Sequence, residues 1–184
     1  LGELGVLFSG WSPAVLVMSI LLLLAILGSR SVLHEAMAVR PIQSQVVLGI
    51  RYGLPYGVCG YFVYWWIGVP SNLLYSGITG TQSAFGIPLL TFFLSYGAIC
   101  EEFYFRGFLF KTARQIMPIV PAAGLSIVAF VAWHPQLIGD TPRLVGLLTG
   151  AVIYTYLTHR SGSALAAACA HASFNTIQIL LTNI

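Results

Sequence analysis

Glu101-Glu102-Phe103-Tyr104-Phe105-Arg106 sets two adjacent carboxylates and a guanidinium directly after an apolar run from Ala84 to Cys100. A charged side chain at the centre of a bilayer costs about 2.5–3.5 kcal/mol on insertion scales, so charges clustered at membrane depth need a reason. Either the three groups only neutralise one another, or the membrane holds a reactive site. The composition of the rest of the chain establishes that this is a membrane question at all. Of the 184 residues, 58% are hydrophobic and 7% charged, with a mean hydropathy of +0.88. A soluble domain carries about 25% charged residues, so this chain has too few to cover a water-facing surface. The alternation expected of a membrane barrel is absent, which leaves an all-α, polytopic transmembrane helical bundle.

Working outward, the run containing the cluster extends from Ala84 to about Ile116 and is longer than one span. It reads as a membrane helix that passes through Glu101 and Arg106 and emerges at Lys111 and Arg114. Downstream, Pro118 and Pro121 start a helix that ends near His134-Pro135, because the residue before a proline is disfavoured in a helix. Asp140-Thr141-Pro142 has the character of a helix start. Leu144 to Thr158 is then a span, and Ser161-Gly162-Ser163 turns the chain into a last one, Ala164 to Leu181. Upstream, Ser12 to Gly28 is close to the ~20 residues that a span requires. Tyr52 to Val69 forms another span, with Val46 to Ile50 as an early start; Gly53, Pro55, Gly57 and Gly60 predict an irregular helix there. Tyr61, Tyr64, Trp65 and Trp66 suit an interfacial belt.

The expectation is about six membrane helices in one integral membrane domain, residues 1–184, with the site in the membrane interior. Residues 1–83 supply two helices without motif, and 84–184 a four-helix catalytic core. Arg30, Arg40, Lys111, Arg114 and Arg160 fall on one side of the membrane under this count, and Arg143 on the other. The positive-inside rule makes the first side cytoplasmic and puts both termini outside, with Arg51 unassigned. The net charge of +3 therefore speaks of topology rather than of nucleic acid. The expected location is the cytoplasmic membrane of a prokaryote, and the lipid bilayer is itself a partner. The chain begins at Leu1, which points to a trimmed or partial chain, and no signal peptide is read from it. Cys59, Cys100 and Cys169 lie in apolar segments without a CxxC and read as small core residues.

At 3.6 residues per turn, Glu102 and Arg106 are i,i+4 neighbours and can pair. Glu101 is turned about 100° away from Glu102 and is left free to work. Low-dielectric surroundings make an unpaired carboxylate more basic, as a general base requires. Two more helices bring polar groups. His134 follows Phe130 by one turn, and His171 and Asn175 share one stripe of the last helix. A serine nucleophile in a glycine-flanked setting is absent, Asp140 is the only aspartate, and His34-Glu35 is followed by Ala38 where an HExxH would need histidine. Cys169 and His171 are two apart and do not face each other. Water activation by Glu101 with His134 remains, with His171 and Asn175 holding an oxyanion. A zinc held by Glu101, His134 and His171 is the other option.

Glu101-Glu102-x-x-x-Arg106, Phe130-x-x-x-His134 and His171-x-x-x-Asn175 resemble the three ordered motifs of the CAAX protease and bacteriocin-processing (CPBP) family, which includes the type II CAAX prenyl endopeptidases. The resemblance spans about Tyr96 to Asn175. It implies an intramembrane glutamic endopeptidase in which Glu101 and His134 activate water and His171 and Asn175 hold the oxyanion. Glu102, Arg106 and Phe130 would support the site. The family has been described both as zinc-dependent and as metal-free; an unligated Glu101 favours the metal-free form, with no cofactor. The expected substrate is a membrane-associated or tail-anchored peptide or protein. The alternative is a catalytically inactive scaffold or immunity-type protein of the same family. A proton-coupled transporter ranks below both, because the chain lacks evident internal repeats.

Overall fold

The structure is a computed structural model that describes residues 41–69, 86–137 and 139–182. The expected span Ser12 to Gly28 and the loop Ser71 to Ser83 lie outside the described residues. Within them the chain is helical and contains no strand. Helix α1 covers Ile42–Trp66 and α2 covers Gly86–Glu102. A π-helical segment, Phe103–Phe110, continues α2 into the short α3, Lys111–Ile116. Then come α4, Ile119–Ala132, a 3₁₀ turn at Pro135–Leu137, α5, Thr141–Ser161, and α6, Ala164–Thr182. Two of these helices, α1 and α6 through Leu181, are long and apolar enough to cross a membrane, and α4 is a shorter apolar helix. Large apolar side chains such as Phe62, Trp66, Val128 and Val152 are exposed on the outside of the bundle, as lipid-facing residues would be.

The punctuation works as read. Pro118 precedes α4, Asp140 caps α5 by accepting the Arg143 amide at 3.1 Å, and Gly162 ends α5 in the left-handed conformation at φ 73°. Helix α1 differs from expectation. Its glycines do not break it; the helix is continuous from Ile42, with Pro55 inside. Gly49, Gly53 and Gly57 recur every four residues and form one buried stripe, against which α6 lies in parallel. A Cβ at Gly53 would fall on the backbone of Ala170, with its Cα at 2.7 Å. This is the close approach that small residues permit in membranes, where backbone contact replaces the missing hydrophobic drive.

Helix α5 runs antiparallel to α1, with Tyr52 beside Tyr156 and the Tyr56 hydroxyl donating to the Gly146 carbonyl at 2.5 Å. Helix α2 runs antiparallel to α6, since Leu94 is level with Asn175 and Glu102 with His171. The π segment meets α4 where Ser126 donates to the Phe105 carbonyl at 2.8 Å and Phe105 packs edge-on against Phe130. At the far end, Lys111 donates to the Gly162 carbonyl at 2.7 Å and ties the start of α3 to the end of α5.

Substituting alanine at Gly53 is expected to destabilise the protein by about 1–3 kcal/mol through overpacking, measured by thermal unfolding in detergent. Gly124, on the exposed face of α4 with nothing within 4 Å of an added Cβ, is the control. Alanine there is expected to stabilise by about 0.5–1 kcal/mol through helix entropy.

Candidate active site

The charges at the end of α2 separate as their spacing suggests, although the turn joining them is π rather than α. Glu102 and Arg106 are both fully buried, and Arg106 Nη1 donates to Glu102 Oε1 at 3.1 Å. Arg106 Nη2 donates to the Ala151 carbonyl of α5 at 3.3 Å. The guanidinium also lies over the Phe130 ring, 4.2 Å from its centroid, where a desolvated cation gains from the ring quadrupole. His171 joins this group: its Nδ1 is 2.9 Å from the same Glu102 oxygen. A carboxylate only accepts, so Nδ1 carries the hydrogen and His171 donates. The reading that placed His171 on a stripe with Asn175 did not foresee this tie across 69 residues.

The Glu101 carboxylate makes no hydrogen bond among the described residues. Its Oε1 is 3.9 Å from His134 Nε2 and its Oε2 is 4.0 Å from His171 Nδ1. His134 Nδ1 is 2.9 Å from the Phe130 carbonyl, which fixes a hydrogen on that nitrogen and leaves Nε2, the nitrogen facing Glu101, as a lone-pair acceptor in the neutral ring. Phe130 thus acts twice, through its carbonyl on His134 and through its ring against Arg106. Asn175 gives one amide hydrogen to the Leu94 carbonyl at 3.2 Å and keeps a second.

Glu101, His134, His171 and Asn175 line one cavity of ≈ 170 Å³. Side chains without a sequence signal complete it. Tyr154 stacks on His171 with centroids 4.7 Å apart and planes at 17°. Tyr56 stacks on Phe174 at 4.7 Å and meets Tyr154 edge-on. Tyr64, expected in an interfacial belt, is 8% exposed and turned into the cavity, whereas Trp65 and Trp66 stay outside. Arg143 reaches the lining from the start of α5, beside Asp140 at 3.2 Å.

The zinc option can be weighed on this donor set. The His171 nitrogen turned toward the glutamates holds a hydrogen and has no lone pair to give there. Among the described residues no three His, Cys, Asp or Glu side chains converge as a metal-binding group. To serve as a ligand beside Glu101, His171 would first have to give up its Nδ1 bond to Glu102.

The family model described as type II CAAX prenyl endopeptidase Rce1-like matches residues 83–177, which contain every residue of the three motifs. No curated protein and no solved structure matches the chain. The matched family is one of membrane-embedded proteases, in keeping with the two apolar helices. With that match running through α2 to α6, the chain belongs to the Rce1-like family of type II CAAX prenyl endopeptidases.

Proposed function

We propose that the protein is an intramembrane endopeptidase that hydrolyses a peptide bond of a membrane-associated or tail-anchored substrate with water activated by Glu101 and His134. The observation that carries this is the unbonded Glu101 carboxylate facing the lone-pair nitrogen of His134 across 3.9 Å. That gap exceeds a direct hydrogen bond and lets both groups bind one water. Glu101 takes a proton from this water, and the hydroxide forms a C–O bond to the scissile carbonyl carbon. The carbonyl electron pair moves onto oxygen, where Asn175 offers its second amide hydrogen. His171 has committed Nδ1–H to Glu102, so a donor at Nε2 exists only in the imidazolium form. As the tetrahedral species collapses, the C–N bond breaks and the proton held by Glu101 passes to the leaving amine. No covalent enzyme intermediate forms.

In this reading Glu102 and Arg106 take no part in proton transfer. They close the buried charge balance and hold His171 in place, and Phe130 supports His134 and Arg106 together. The protein resides in a cytoplasmic membrane and acts without a metal, because a glutamate that must accept a proton is better left unligated.

Cleavage of a membrane-anchored candidate peptide by the purified protein tests the reading. Glu101→Gln and His134→Ala are expected to abolish cleavage while the thermal unfolding temperature holds; normal cleavage by both variants would remove Glu101 and His134 from the chemistry, and a folded wild type that cleaves nothing would stand with the inactive scaffolds. Asn175→Ala is expected to lower kcat by about 10²–10³-fold, the usual loss of one oxyanion donor. Arg106→Ala should fail differently, losing about 3–5 kcal/mol of stability because it strands a buried carboxylate. An added chelator is expected to leave the rate unchanged, and inhibition reversed by zinc would reinstate the metal.

A further inference from the structure

Tyr154 has no place in the three motifs, yet its ring lies flat against that of His171, with centroids 4.7 Å apart and planes at 17°. The stack and the Glu102 bond constrain His171 in different ways. The hydrogen bond fixes which nitrogen meets the carboxylate. The tilt of the imidazole about that bond is set by what lies on its faces, and a parallel ring at stacking distance holds a face. Phe130 adds an edge from α4, with centroids 6.1 Å apart and planes at 78°, and Glu101 stands 4.0 Å from Nδ1.

Tyr154 is itself buried, and it is held by elements other than its own. Tyr56 of α1 meets it edge-on, with centroids 6.5 Å apart, and the Tyr56 hydroxyl is bonded to the Gly146 carbonyl of α5. The Arg106 guanidinium lies 5.7 Å from the Tyr154 ring centroid. Gly150, one turn before Tyr154, leaves the room that both rings use. A Cβ there would stand 3.3 Å from Tyr154 Cε2 and 3.3 Å from the Tyr56 hydroxyl, closer than ordinary van der Waals contact. Tyr56, Gly150 and Tyr154 thus form a brace that ends on the imidazole. It begins on α1, outside the residues 83–177 that match the family.

From these contacts, and resting on the peptidase reading, we propose that Tyr154 is a positioning residue for the hydrolysis: its stacked ring, backed by Tyr56 across Gly150, sets the tilt of His171 and so the place of the imidazole beside the developing oxyanion. Oxyanion donors must stand about 2.7–3.1 Å from the oxygen they stabilise, which leaves little tolerance in the ring that carries one. A misplacement of ~1 Å costs about 10²-fold in rate. The face of the Tyr154 ring performs this task, and its hydroxyl is not required.

Two substitutions separate the face from the bulk: Tyr154→Phe keeps the ring, and Tyr154→Leu keeps an apolar side chain without one. With a membrane-anchored peptide that the wild type cleaves, Tyr154→Leu is expected to lower kcat by about 10–10²-fold with KM little changed, and Tyr154→Phe to retain the wild-type kcat. Gly150→Ala presses on both rings and is expected to lower kcat by a smaller factor; it is read in place of Tyr154→Leu if that variant does not fold. A second readout needs no substrate. In protein labelled with ¹⁵N-histidine, the Nδ1–H resonance of His171, identified by its loss in His171→Gln, is expected to stay sharp in Tyr154→Phe and to shift or broaden in Tyr154→Leu. The Nδ1–H line of His134, held by the Phe130 carbonyl, is the internal reference for an intact fold. A Tyr154→Leu protein with wild-type kcat or an unaltered His171 line overturns the inference, whatever it loses in unfolding temperature. A rise in KM alone, or a Tyr154→Phe protein as slow as Tyr154→Leu, overturns it too. Glu101→Gln in the same assay reads the peptidase function; where the wild type cleaves nothing, the His171 line still decides whether Tyr154 positions the ring.

Discussion

Arg106 is fully buried, and compensating its charge draws contacts from across the described core. Glu102 supplies the counter-charge from the end of α2, Ala151 a carbonyl from α5, and Phe130 the face of a ring from α4. His171 of α6 completes the group by donating to the same Glu102 oxygen. A guanidinium withdrawn from water needs its charge matched in place, so these helices cannot shift independently. The relative height of α2, α4, α5 and α6 is set at this point. The glycine stripe then adds α1 to the outside of α6 by a separate device, close backbone contact without charge.

The same network decides which carboxylate is left over. Two adjacent glutamates share one arginine, and the shorter path belongs to Glu102. Glu101, one residue earlier, points instead at the cavity, with a histidine on either side at 3.9 and 4.0 Å. Neither histidine ring is free to turn. His134 is held by the Phe130 carbonyl and His171 by Glu102, so each presents a defined nitrogen to the space between them. Preorganisation of this kind matters more in a low-dielectric site than in water, because fixed dipoles there need little reorganisation when charge develops.

Features written locally were legible in the sequence. Proline before α4 and after His134, aspartate before Thr141 and glycine after Ser161 act on their own backbone, so helix boundaries followed from single residues. The Glu102–Arg106 pair was legible for the same reason, since four residues along a helix leave few alternatives. Contacts between distant segments were not. Nothing around His171 announces Glu102, and nothing in α1 announces that Tyr64 turns inward while Trp65 and Trp66 face out. The π turn leaves no mark either, because Phe103 to Phe110 also reads as an ordinary apolar helix. The glycines of α1 carried a real signal with two meanings, weak helix or close packing, and only a partner helix distinguishes them.

Helix α1 lies outside the residues that match the family, yet Tyr56 and Tyr64 form part of the cavity wall. The groups that face the reacting bond and the groups that shape one wall are therefore carried by separate stretches of chain, docked through glycines that touch mainly backbone. The glycines let the two backbones approach, and Tyr56 adds side-chain contacts to Phe174 of α6 and to Gly146 of α5. A change on the exposed side of Tyr56 or Tyr64 would therefore alter the shape of the cavity without moving Glu101, His134, His171 or Asn175 along the chain that carries them.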